Sequence, residues 1–137
     1  MARFRLASVL RARQVQEDAA RGAVVRARAE ADAAEVQAAD RADQLAGYTA
    51  QQSGNPRAFI ASLCARQSLA AEISAAQALA AQAREVVGER LTEFTAASIR
   101  RAGVEKLAER HLATTRAAEE AAAQRELDDL ASTRRRI

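Results

Sequence analysis

A heptad spacing runs almost unbroken through the first third of this chain and limits what the chain can fold into. Gaps of four and three residues alternate along Leu6, Leu10, Arg13, Glu17, Ala20, Val24, Ala27, Ala31, Ala34, Ala38, Arg41, Leu45 and Tyr48. Such a repeat keeps one stripe of a helix facing a partner helix, as in a coiled coil. Because a rod of this kind has no pocket, we expect the chain to act through contacts with other proteins.

The apolar residues are mostly alanine. The chain is 49% hydrophobic but only 3% aromatic. Small seam residues let two helices approach closely, near the lower end of the usual ~8–10 Å range. Each buried methyl group contributes little compared with ~1.5–3 kcal/mol for a buried Leu or Phe. We therefore expect an elongated helical pair of modest stability rather than a globule.

No group of residues indicates catalysis, a cofactor or a metal site. The glycines are isolated and form no phosphate-binding loop, and the single histidine, His111, has no partners at metal-ligand spacing. We interpret His111 as a seam or partner-contact residue and Cys64, the only cysteine, as a small residue on a helix face. No apolar run approaches the ~18 residues of a membrane span. We expect a cytoplasmic protein that is not an enzyme.

One break divides the chain. Gly47, Gly54, Asn55 and Pro56 mark a turn, with Pro56 in the first turn of the next helix and Asn55 or Ser53 as its cap. We predict a single α-helical hairpin over residues 1–137, with helix 1 at about 6–48, the turn at about 49–56 and helix 2 at about 57–132. The fold class is all-α: a long two-helix antiparallel coiled coil whose second helix is the longer.

For helix 2 the large apolar residues predict the seam. The predicted stripe is Phe59, Leu63, Ala70, Ile73, Ala80, Val87, Leu91 and Phe94. Beyond it we expect a slip of phase near Gly103, with Val104, Leu107 and His111 out of register. A tight turn would place Leu10 opposite the 91–94 region and Val24 opposite Ala80. The end of helix 2 would then overhang by roughly 50 Å.

Charged residues in the seam and at the termini leave alternatives open. Arg13 and Glu17 indicate either a loose seam near a frayed end or an end built to contact a partner. Arginines cluster at both termini, and the formal net charge is +3. This pattern fits a solvated helix surface or a basic end that meets an acidic protein. Nucleic-acid binding is disfavoured because no aromatic residues interleave with the arginines.

Three segments together resemble a known family. They are Phe4–Glu17 (FRLASVLRARQVQE), Val104–Arg110 (VEKLAER) and Gln124–Ala131 (QRELDDLA), the last with Asp129 where Glu is usual. In order and separation they resemble the flagellar export protein FliJ family, which is related to injectisome stalk proteins and to the gamma subunit of rotary ATPases. The likeness extends over the whole chain.

The resemblance implies a stalk and adaptor of the flagellar export apparatus. Its implied partners are the hexameric export ATPase, the cytoplasmic domain of the export gate membrane protein, and export chaperones, with peripheral association at the inner membrane and a monomer in isolation. The implied ATPase-binding residues are Phe4, Leu6, Leu10, Arg11, Arg13, Glu17, Leu107, Leu127 and Leu130. The implied gate-binding residues are Arg41, Leu45, Tyr48, Gln52, Phe59, Leu63, Arg66 and Ala70, of which Arg41, Gln52 and Arg66 depart from the family's apolar pattern.

Two other functions remain open from the residues alone. A structural coiled-coil rod or peripheral stalk would use the same seam to form a stable homo-oligomer. A basic nucleic-acid-binding hairpin would bind DNA or RNA in a salt-sensitive way.

Overall fold

The computed structural model consists of two long α-helices and describes residues 6–48 and 55–135. Helix α1 spans Ala7–Ala46 and helix α2 spans Pro56–Arg134, and the described residues contain no strand. The helices pack against each other and run antiparallel, since Glu35 contacts Arg84 while Arg41 contacts Glu72. The predicted all-α antiparallel pair with a longer second helix is confirmed.

The start of α2 follows from its local sequence. The side-chain Oδ1 of Asn55 accepts a hydrogen bond from the backbone N–H of Arg57 at 3.1 Å, as expected of a capping residue. Pro56 occupies the first helical position, where its missing N–H costs nothing. Asn55 is therefore a cap, whereas Ser53, the alternative cap, lies outside the described residues.

The seam of α1 agrees with the heptad prediction. Its buried apolar residues are Val24, Ala27 and Ala31, all members of the predicted stripe. Most of the other predicted positions are half-buried, but Leu6 and Arg41 are exposed. The buried apolar positions hold only valine and alanine, so this contact is thin and little area is buried per residue.

The predicted seam of α2 is partly wrong. Phe59 is 55% exposed and Leu63 46% exposed, and Ala70 and Leu91 also face solvent. The residues that are covered near the start of α2 are Ala58, Ser62, Ala65 and Leu69, each one position earlier than a heptad built on Phe59. The positions covered there are therefore not those with the largest apolar side chains, which the prediction had used to place the stripe.

The expected slip near Gly103 is also wrong. Helix α2 continues through Gly103, and its covered positions keep alternating by four and three beyond Phe94 while Leu107 is exposed. These positions are Ala97, Arg101, Val104, Ala108, His111 and Thr115. The one irregularity is an additional four-residue step at Leu69–Ile73, which is a stutter of the heptad repeat. His111 lies half-buried on the seam, as interpreted from the sequence.

The two helices pair in a different register from the one expected of a tight turn. The guanidinium carbon of Arg21 lies 5.6 Å from the centre of the Phe94 ring, and Glu35 contacts Arg84. Residues of α1 therefore face positions about ten residues later in α2 than a tight turn would give. The reason is that α2 begins at Pro56, several turns before the first α2 residues that face the end of α1.

The chain divides into two compact units. One comprises Met1–Asp18 with Ala96–Ile137, and the other comprises Ala19–Thr95. In the first unit every described residue of α2 from Arg116 onward is exposed, which corresponds to roughly 30 Å of helix. This uncovered length is shorter than the expected overhang because of the displaced pairing.

The thin seam predicts that a larger side chain at a buried seam position destabilises the fold. Ala80 is buried, whereas its neighbour Ala81 is exposed. Ala80→Leu should destabilise the fold by about 1–3 kcal/mol, because the closely packed helices must separate to admit the larger side chain. Thermal unfolding followed by circular dichroism at 222 nm measures the loss. Ala81→Leu is the matched control, and equal melting temperatures for the two variants would contradict a close-packed seam.

Candidate partner-binding surfaces

The described residues offer surfaces rather than an enclosed site. Neither helix there holds a stretch apolar enough to cross a membrane. Within the same ranges no three acidic, histidine or cysteine side chains converge in a way that could hold a metal ion. The concavities are shallow grooves along the helices, such as the one lined by Gln37, Arg41, Glu72 and Leu79.

The start of α1 presents basic and apolar side chains from the implied ATPase-binding set. Leu6 and Arg11 are exposed, while Leu10 and Arg13 are half-buried. The Arg13 guanidinium donates a hydrogen bond to the Gln16 side chain at 3.0 Å. Phe4 lies outside the described residues. Arg11 is thus the most accessible cation that the structure describes at this end.

Glu17 differs from the rest of that set because it is buried. Its side chain accepts a hydrogen bond from the Ser98 hydroxyl at 2.6 Å and forms an ion pair with Arg101, both on α2. Only 6% of the residue is exposed. The seam is not loose at this position, and the contact of Glu17 with the ATPase stays a prediction. Glu17 holds the two helices together.

Arg101 extends this contact into a small ionic cluster. Its guanidinium also pairs with Glu105, one turn further along α2, at 2.5 Å. The carboxylates of Glu105 and Glu17 raise the pKa of Arg101 above its usual value. Stabilisation from a raised arginine pKa is complete below the unfolded-state pKa and is lost only as pH rises through the still higher folded-state pKa. Arg101 therefore stays charged in this cluster at any physiological pH.

The free end of α2 carries the remaining implied ATPase-binding residues. Leu127 is 60% exposed and Leu130 is 67% exposed, and they lie one turn apart on one face with Arg134. Leu107 is exposed further back. Leu112 is equally exposed but was not selected from the sequence, because no motif marks it.

The residues of the implied gate-binding strip are exposed on α2 but mostly half-buried on α1. On α2, Phe59, Leu63, Arg66 and Ala70 are all exposed and lie along one flank beside the seam. Ile60 is exposed next to them and was missed, since it falls outside the 4-3-4 spacing.

On α1 the same strip lies mostly in the seam. Leu45 and Tyr48 are half-buried, whereas Arg41 is exposed and pairs with Glu72 at 3.2 Å. Gln52 lies outside the described residues. The α2 flank therefore supplies most of the accessible apolar surface of this strip.

The comparisons with known proteins agree with the resemblance read from the sequence. A family model described as "Flagellar FliJ protein" matches residues 1–136. No curated protein and no solved structure matches the chain.

The buried carboxylate makes a prediction about stability. Glu17→Ala should cost about 1–3 kcal/mol, because Ser98 and Arg101 lose the acceptor that they share. Glu30→Ala removes an exposed glutamate from the same helix and should change stability by less than about 0.5 kcal/mol. Urea unfolding followed by circular dichroism compares the two variants. Similar midpoints would mean that the Glu17 contact contributes no net stability.

Proposed function

The chain belongs to the flagellar FliJ protein family and is thus a flagellar export-related protein, and on that premise we propose that it is a stalk and adaptor of the export apparatus. In this proposal it binds the hexameric export ATPase at the end that bears both termini and promotes assembly of the ring. It binds the cytoplasmic domain of the export gate near the turn, and it handles export chaperones. It works in the cytoplasm, associated with the inner membrane only through these partners.

The uncovered end of α2 is the observation that carries the ATPase contact. Leu127 and Leu130 form an apolar face that no described residue covers. An amphipathic helix with such a face binds readily in a complementary groove, anchored by residues one turn apart. The nearby basic residue Arg134 adds positive charge beside the apolar pair, which favours an acidic rim on the partner.

The flank beside the turn supports the second contact. Phe59, Ile60 and Leu63 are exposed together near the start of α2. Large apolar and aromatic side chains at such positions are frequent anchors of protein interfaces. The flank lies in the Ala19–Thr95 unit and the free end of α2 lies in the other unit, so the two proposed contacts use different residues and can be removed separately.

The ATPase contact predicts a specific loss of binding. Leu127→Ser combined with Leu130→Ser should weaken binding to the purified export ATPase at least tenfold, because each lost anchor commonly costs more than 1 kcal/mol. Isothermal titration calorimetry measures the affinity. The matched control is Val36→Ser with Leu79→Ser, two exposed apolar residues of the other unit. An unchanged affinity in the first variant would remove the free end from the contact.

Sedimentation of the unmodified chain separates this function from an oligomerising rod. A monomer at micromolar concentration agrees with the stalk, whereas a stable homo-oligomer that Leu127→Ser with Leu130→Ser dissociates would favour the rod.

The gate contact makes a separate prediction. Tyr48→Ala with Phe59→Ala should reduce binding to the purified cytoplasmic domain of the gate protein while ATPase binding is retained. Its melting temperature should fall no further than that of Tyr48→Ala alone, because Tyr48 is half-buried whereas Phe59 is more than half exposed. A large fall in melting temperature with normal gate binding would instead show that the two aromatic residues close the hairpin. Leu79→Ala, at an exposed site away from the turn, is the control.

A further inference from the structure

The alanine-rich seam does little to fix the register of the two helices, that is, the position of α1 along α2. In the unit Ala19–Thr95 the buried apolar residues are Val24, Ala27, Ala31 and Ala80. From Ile73 onward, where the α2 repeat is unbroken, a slide of α1 by seven residues keeps the same stripes facing each other. Ala76, Ala80 and Ala83 would again offer α1 only small side chains. Packing alone therefore discriminates weakly between the observed register and its neighbours.

Exposed ion pairs between the helices add little discrimination. Glu35 pairs with Arg84 and Arg41 pairs with Glu72, but all four side chains are substantially exposed. Exposed pairs are worth ~0–1 kcal/mol, and long side chains reach new partners after a small displacement. A stronger determinant of register must be buried.

Glu17 is the one charged residue that is buried among the described residues. In the observed register its carboxylate meets the Ser98 hydroxyl and the Arg101 guanidinium of α2. A slide of one heptad toward the turn replaces these two positions with Leu91 and Phe94. A slide of one heptad in the other direction replaces them with Glu105 and Ala108. Neither neighbouring register offers the carboxylate its two α2 donors.

We propose that Glu17 determines the register of this coiled coil, that is, the position of α1 along α2. Of the observed pairing and its two neighbours, only the observed one gives the buried carboxylate its Ser98 and Arg101 donors across the seam. Loss of such donors at a buried acid is strongly unfavourable, whereas the alanine contacts of the seam tolerate the slide. Polar residues at seam positions are known to specify register in this way at some cost in stability.

The direction of the alternative register follows from the chain. A leucine at position 17 would meet Leu91 and Phe94 after a slide toward the turn, and Arg101 would keep its intrahelical partner Glu105. The opposite slide would stretch the nine residues between Ala46 and Pro56, whose reach is limited to about 30 Å. Removal of the carboxylate should therefore shift α1 toward the turn.

Distance measurement between spin labels tests the proposal. Nitroxide labels at Ala29→Cys and Gln67→Cys, both exposed and within one unit, are placed in a Cys64→Ser background. A slide of one heptad changes their axial separation by about 10 Å. Double electron–electron resonance should give one distance for the parent protein. Glu17→Leu should add a second population, shorter by about 10 Å and at least about a tenth of the distribution.

Three variants separate register from a general loss of stability. Glu17→Gln keeps an acceptor for Ser98 and Arg101 and should keep the single parent distance. Glu35→Leu makes the same substitution at an exposed interhelical pair and should also keep it. Glu17→Ala is measured beside Glu17→Leu, with helical content checked by circular dichroism. An unchanged single distance in either of these two variants overturns the proposal, as does a second distance in Glu35→Leu.

Discussion

The contact of α1 with α2 through small side chains is the constraint on which the rest of this structure depends. Among the described residues, four of the five buried apolar positions are alanine, so little apolar area is buried between the helices. Phe59, Leu63 and Leu107 lie beside the covered positions of α2 and are exposed to solvent. The same thin packing that limits stability leaves apolar side chains on the surface, where they are available to partners.

Polar contacts supply the specificity that alanine packing lacks. Glu17 is buried against Ser98 and Arg101, and Arg101 in turn pairs with Glu105. A buried carboxylate is costly to desolvate, so any arrangement that separates it from its donors is penalised. The helix pair thus combines an apolar seam that tolerates a change of register with one buried carboxylate that does not.

The proposed function uses surfaces that the seam leaves uncovered. The exposed end of α2 carries Leu127 and Leu130, and the flank near the turn carries Phe59 and Leu63. These surfaces belong to different compact units, which suits an adaptor with two partners of the flagellar export apparatus. The proposed contacts need no cavity, because they are made along helix faces.

The sequence by itself determined the helical hairpin class and the seam of α1, because helix propensity and a continuous heptad are local properties, and three short segments carried the resemblance to the family. It also indicated the cap at Asn55. Only the tertiary structure decided the seam of α2, where Ser62 rather than Leu63 is covered, and the pairing that sets Glu17 on Arg101. These features depend on which side chains fit between helices at close distance and on where a distant donor meets a buried acid. Hydrophobicity along one helix carries neither kind of information.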